Sequence, residues 1–211
     1  MSESKTHGIV LKKQNFGEAD RILRIFTKEL GVISAMAKGV KKTTSKKGGC
    51  LEIFCESNLR LHRRRGELFL ITDASIISVC ESKDLQMTKV IFSAGELLLN
   101  LSPPEKPLPK IYKLFQDFLK IVPRGSKLQL LKIAFFAKVL NIFGFFSGVE
   151  NFSDKEKKLF KFLLDSSFEE ILRLREEAQI FVKVENHLES ILENVSERRS
   201  KVAASTQGWD C

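Results

Sequence analysis

The period of the hydrophobic pattern changes once along this chain, near Asp84, and that change decides what the chain can fold into. Before it, short apolar runs alternate with polar residues. His7–Lys13, Arg21–Lys28, Val32–Lys38, Leu51–Arg63 and Leu68–Val79 each read as a strand, with Leu23 and Ile25 flanking Arg24 and a β-branched stretch around Ile71, Thr72, Ile76, Ile77 and Val79. Gly31 and Gly66 fall between successive runs, where tight turns need them. Five strands in so short a stretch are what a small closed or nearly closed barrel requires.

After Asp84 the apolar residues recur at helical spacing. Val90, Ala94, Leu97, Leu98 and Leu101 form one stripe, ended by Ser102-Pro103-Pro104, and Ile111, Leu114, Phe115, Phe118, Leu119 and Val122 form a second, stopped by Pro123 and Gly125. Leu128, Leu131, Phe135, Val139, Ile142 and Phe146 make a third. Phe160 and Leu163, then Ile171, Leu174, Ala178, Phe181 and Val182, continue the helical pattern into Leu188, Ile191, Leu192 and Val195. The expected fold class is therefore α+β and multi-domain: a β-barrel over residues 1–82 and an α-helical bundle over 83–211, with the last ten or so residues fraying. No apolar run approaches the ~20 residues of a membrane span. MSESKTHG lacks the apolar core of a secretory signal, which predicts a cytoplasmic protein whose four cysteines, Cys50, Cys55, Cys80 and Cys211, are free thiols.

Charge then narrows the partner. The chain carries a formal net charge of +9, distributed unevenly. Residues 1–84 hold 16 basic and 10 acidic side chains, residues 85–150 hold 9 and 4, and residues 151–211 hold 10 and 12. The positive field belongs to the first two thirds and favours a polyanion. Its densest stretch joins the third and fourth strands: Lys38, Lys41, Lys42, Lys46 and Lys47, with no acid among them. Lysines on a Gly/Ser/Thr loop suit phosphate tracking rather than base reading. Arg63, Arg64 and Arg65, before Gly66, form a second cluster.

Catalytic chemistry finds little support. His7, His62 and His187 are dispersed and read as solvated surface histidines, and no GxxxxGK[ST] phosphate loop occurs. Glu18 and Asp20, beside Arg21, read as a solvated turn or a salt bridge. Cys50 and Cys55 stand five apart with no CxxC or HxxxH partner, so no metal or other cofactor is expected.

The string His7-Gly8-Ile9-Val10-Leu11, Phe16-Gly17-Glu18-Ala19-Asp20-Arg21-Ile22-Leu23, Phe26-Thr27, Gly31 and Ala37-Lys38-Gly39, followed by Ser45, Gly49, Leu51 and Phe54, resembles the N-terminal domain of the bacterial recombination mediator family RecO. The resemblance covers about 80 residues. It implies an OB-fold followed by an α-helical domain and a non-catalytic DNA repair and recombination role. In that role the protein binds single- and double-stranded DNA, anneals complementary strands and, with RecR, helps load RecA onto DNA covered by single-stranded-DNA-binding protein. Many members carry a four-cysteine zinc module in the helical domain; here the corresponding stretch between Phe146 and Ser153 reads SGVENF, without cysteine.

The DNA-binding residues expected on this reading are Lys38, Lys41, Lys42, Lys46, Lys47, Arg21, Arg63, Arg64 and Arg65, with Phe16 the one aromatic of the first segment that either stacks on a base or caps the barrel. Lys110, Lys113, Phe115 and Arg124 are the candidates for receiving the acidic tail of single-stranded-DNA-binding protein, an assignment that competes with Phe115 serving as bundle core. Two other readings stand beside this one. An OB-fold RNA-binding factor would prefer structured RNA. A metal-dependent nuclease would cleave DNA, and the scarcity of convergent acids argues against it.

Overall fold

A computed structural model describes residues 3–43, 45, 47–63, 66, 68–145, 152–175 and 181–194. Five strands come first: β1 (Glu3–Phe16), β2 (Asp20–Thr27), β3 (Gly31–Ala37), β4 (Cys55–Arg63) and β5 (Leu68–Val79). They close in the order β1-β2-β3-β5-β4, antiparallel except for β3 with β5. β1 closes the barrel by pairing β4 along Glu3–Ile9 and β2 along Gly8–Phe16. This is the OB topology expected.

Alternation turns Val10, Leu23, Ile25, Ile33, Ala35, Leu59, Leu61, Phe69 and Ile71 into the barrel, where all are buried. The fourth strand begins later than its apolar pattern suggests. Gly49–Leu51 forms a 3-10 turn whose Leu51 enters the core, and Phe54 adopts a left-handed backbone (φ 61°) before Cys55 joins the sheet. The apolar residues 50–54 are thus a plug and a corner rather than strand.

Two helices, α1 (Leu85–Leu101) and α2 (Pro109–Ile121), complete the first compact unit, Met1–Pro123. Strand gives way to helix where the sequence places the change, but compactness divides the chain only after α2. The reason lies in specific packing. Phe54 meets Phe92 of α1 edge-on at 5.0 Å and Phe115 of α2 at 6.4 Å, and Phe26 of β2 meets Tyr112 of α2 at 5.4 Å. Gly95 lets α1 approach this closely, since a Cβ there would lie 2.9 Å from the Phe54 ring. Gly31 serves the α1–α2 linker similarly. Its φ of 71° is left-handed, and a Cβ would stand 2.1 Å from the Lys106 carbonyl oxygen. Beneath α2, Glu56 is 4% exposed, and its carboxylate accepts hydrogen bonds from the Tyr112 hydroxyl (3.0 Å), the Ser78 hydroxyl (3.1 Å) and the Gln116 amide.

The second unit, Arg124–Cys211, contains α3 (Leu128–Phe143), α4 (Asp154–Asp165), α5 (Phe168–Leu172) and a helical segment over 181–194. α3 is apolar nearly all round and correspondingly buried. Lys138 projects from it to donate to the carbonyls of Leu164 and Ser166 (2.6 and 2.7 Å), satisfying the C-terminal end of α4. Burial pulls its ammonium pKa down, opposed by Asp165 and Glu170.

The late helical pattern is not continuous. Ser153 and Ser167 begin separate helices with capping boxes to Glu156 and Glu170, and α5 ends at Leu172. Val182 is exposed rather than part of an apolar stripe. His187 is not a solvated histidine: it lies 4.8 Å from the Phe152 ring, and its buried Nε2 has no partner among the described residues. The stretch 146–151 and the C-terminal residues expected to fray lie outside the described residues.

Candidate nucleic-acid interface

The lysine loop is built from the β1–β2 turn outward. Gly17 takes a left-handed φ of 61° at the turn, and Asp20 follows it. The Asp20 carboxylate is neither a solvated turn residue nor the ion-pair partner of Arg21. It accepts a hydrogen bond from the Gly39 backbone N–H at 2.7 Å, while the Ala19 carbonyl accepts one from the Lys41 N–H at 3.0 Å. Both tie the loop after β3 to the turn after β1. Successive turns then carry the chain onward (Lys42 N–H to Gly39 O, Ser45 N–H to Lys42 O), and the Lys47 ammonium reaches the Ile71 carbonyl of β5 at 3.4 Å. Val40, Cys50 and Leu51 anchor the same segment in the barrel core. Apolar anchors at each end thus hold a polar, cationic arch.

On that arch Lys38, Lys41 and Lys42 are exposed, and none of them forms an ion pair among the described residues. Phe16 ends β1 opposite Asp20 and is 51% exposed, an aromatic face open to a base. Lys47 is half-buried and engaged with backbone. Lys46, Arg64 and Arg65 lie outside the described residues.

Arg21 is more constrained than the sequence suggests. Its guanidinium donates to Glu52 Oε1 at 2.8 Å, while Lys13 pairs with Glu52 Oε2. Neither Lys13 nor Glu52 was marked by sequence pattern, because the contact joins positions 31 and 39 residues apart. Partial burial raises the Glu52 carboxyl, but the hydrogen bonds and charges of Lys13 and Arg21 outweigh it and leave the pKa below its usual 4.5.

Arg63 is likewise engaged. It forms a bidentate pair with Glu105 (2.6 and 3.2 Å) and stacks over the Phe69 ring at 4.8 Å. The Arg63 guanidinium is held by a carboxylate, so DNA could take it only in exchange for Glu105.

The groove expected around Phe115 requires correction. Phe115 is 0% exposed, packed against Phe54 beneath α2, and cannot meet a peptide. The amphipathic stripe of α2 is core, as its helical spacing also allows. Lys110 and Lys113 are exposed on that helix, with Lys113 paired to Asp117 one turn on, whereas Arg124 belongs to the second compact unit. Among the described residues no group of three or more His, Cys, Asp or Glu side chains could hold a metal ion, and no helix is long and apolar enough to cross a membrane.

Comparison with known proteins agrees with this architecture. The family model described as Recombination protein O N terminal matches residues 1–80, the barrel together with its basic arch. DNA repair protein RecO of Dehalococcoides mccartyi strain BAV1 is 34% identical over 156 residues, covering 74% of this chain and 62% of the relative. DNA repair protein RecO of Geobacter metallireducens is 30% identical over 147 residues, covering 69% and 60%, and that of Listeria monocytogenes serotype 4a is 28% identical over 148 residues. The matched stretch spans about three fifths of the length of these curated relatives. The N-terminal 80 residues, folded as an OB barrel, carry the Recombination protein O N-terminal domain, and similarity to proteins named DNA repair protein RecO continues into the helices.

Proposed function

We propose that this protein is a non-catalytic recombination mediator that grips DNA, single- or double-stranded, by its phosphates along the arch from Arg21 through Lys38, Lys41 and Lys42 to Lys47. The observation that carries the reading is the pinning of a cationic loop to the β1–β2 turn through Asp20 and Ala19, which presents exposed ammonium groups on a firm base. Among the described residues 3–84, Phe16 is the one phenylalanine with half its surface exposed, so base stacking contributes little beside phosphate contact. A protein that holds the backbone leaves base edges free to find their complements, and its lysines screen repulsion between two strands. That chemistry suits strand annealing.

By family, the partners are RecR and the tail of single-stranded-DNA-binding protein, the outcome is loading of RecA, and the place is the cytoplasm at the nucleoid. Lys110 and Lys113 on α2 are the exposed cations for an acidic tail. The test is annealing of complementary oligonucleotides, bare and coated with single-stranded-DNA-binding protein, by the intact chain and by a variant with Lys38, Lys41, Lys42, Lys46 and Lys47 replaced by Ala. The intact chain should accelerate annealing and the variant should lose most of that effect. Equal activity of the two would overturn the assignment.

A further inference from the structure

Glu52 sits between two cations on the face that the phosphate-binding reading assigns to DNA. Arg21 Nη1 donates to one carboxylate oxygen at 2.8 Å and Lys13 engages the other. This is the arrangement in which a guanidinium and an ammonium would hold two oxygens of a phosphodiester, the other common oxyanion of charge minus one. All three side chains are reachable from water, at 34% exposure for Lys13, 20% for Arg21 and 44% for Glu52.

The backbone beneath Glu52 is fixed by packing and hydrogen bonds, while its partly exposed side chain is held by the two ion pairs. Leu51 on one side is fully buried, Phe54 on the other is 5% exposed, and the Glu52 carbonyl accepts the Cys55 N–H at 3.1 Å. The Phe54 N–H in turn donates to the Val10 carbonyl at 2.8 Å. Rotation about the side-chain bonds of Glu52 can therefore empty the place between Lys13 and Arg21 without moving the loop. The two cations, meanwhile, are held by the β1–β2 pairing, where Lys13 opposes Leu23 and Arg21 opposes Asn15.

We propose that Lys13 and Arg21 form a seat for one backbone phosphate and that the Glu52 carboxylate occupies it in the free protein, yielding to DNA on binding. The proposal rests on the phosphate-binding reading above and adds to it a residue, Lys13, and an internal competitor, Glu52. Such a competitor weakens binding and keeps it exchangeable, which a protein that must release annealed strands requires. It also makes the seat selective for oxyanions that can engage both cations at once.

The experiment compares the intact chain with Glu52→Gln, with Lys13→Gln/Arg21→Gln, and with the triple variant. The probes are a mixed-sequence single-stranded oligonucleotide and inorganic polyphosphate, each titrated over a range of salt. Glu52→Gln should tighten both by roughly two- to fivefold, the factor that freeing exposed ion pairs corresponds to, and should steepen the salt slope by about 0.7, one added phosphate. In the Lys13→Gln/Arg21→Gln background, removing the Glu52 charge should have no such effect.

Glu3→Gln removes an equal charge from β1, beside Arg60 at 3.4 Å, and should leave binding nearly unchanged. If Glu3→Gln tightens binding as much as Glu52→Gln, or if Glu52→Gln tightens neither probe while DNA is still bound, the seat is overturned and the DNA-binding reading stands. If Glu52→Gln binds polyphosphate more tightly than the intact chain but neither binds DNA, the DNA-binding reading fails and the pair of cations stands only as an oxyanion seat.

Discussion

Asp20 and Gly39 meet across 19 positions of sequence in a 2.7 Å hydrogen bond from the Gly39 N–H to the Asp20 carboxylate. That bond turns a glycine-bearing, lysine-rich connection into a defined surface. Charge-assisted bonds to backbone N–H are among the stronger ones, and this one is only partly shielded from water. An acid thus lies inside the basic site because it organises the cations rather than opposing them.

Replacing Asp20 by Ala separates these two roles. Loss of a negative charge beside the arch favours DNA by Coulomb's law, while loss of the tether disorders the lysines. The expected result is weaker DNA binding, faster amide hydrogen exchange over Gly39–Lys42, and a loss of about 1 kcal/mol in stability. Tighter binding with unchanged exchange would show that the tether is irrelevant.

Lys41→Ala/Lys42→Ala removes two exposed cations without disturbing a described ion pair. Affinity for single-stranded DNA should fall equally across unrelated sequences. The slope of log affinity against log salt should become shallower by about 1.4, that is, two phosphates at ~0.7 each. Fluorescence anisotropy at several salt concentrations measures both.

Tyr112 ties α2 to the barrel through Glu56, and its substitution by Phe removes one of the two donors, with Gln116, to the same carboxylate oxygen at a site 4% exposed. The expected cost is about 1–2 kcal/mol, read as a lowered midpoint in urea. Burial first, then the Glu56 charge, push the Tyr112 phenol well above its ordinary 10.0. The folded chain therefore keeps the proton that the unfolded chain releases above about pH 10. Stability supplied by Tyr112 is fully present below that pH and declines above it by about 1.4 kcal/mol per unit. Tyr112→Phe should remove that part of the alkaline slope.

Gly31→Ala places a methyl group 2.1 Å from the Lys106 carbonyl oxygen on a backbone with φ of 71°. The left-handed conformation alone costs roughly 1–2 kcal/mol, and the clash adds to it by moving the α1–α2 linker from β3. A lower thermal midpoint is expected even though no buried side chain is lost. An unchanged midpoint would mean the linker shifts freely.

Local pattern was enough to read the five-strand barrel, the first three helical stripes and the resemblance carried by the N-terminal domain. The alternation around Leu23 and Ile25, the stop at Ser102-Pro103-Pro104 and the GEADRIL string are each set by neighbours along the chain. The capping boxes at Ser153 and Ser167, which break the late helical pattern into separate helices, emerged only in the structure. Helical spacing showed that Phe115 lies on an apolar face, but not that Phe54 and the barrel cover it.

The charged residues mark the boundary most clearly. Composition determined that the first two thirds of the chain are cationic and that Lys38, Lys41 and Lys42 share one loop. Tertiary structure alone decided that Asp20 serves the Gly39 amide, that Glu52 occupies Lys13 and Arg21, and that Arg63 is held by Glu105. Periodicity follows from which face of an element avoids water, a property each segment carries by itself. An ion pair depends on which two distant side chains the closed barrel brings within a few ångströms, and no single segment encodes that.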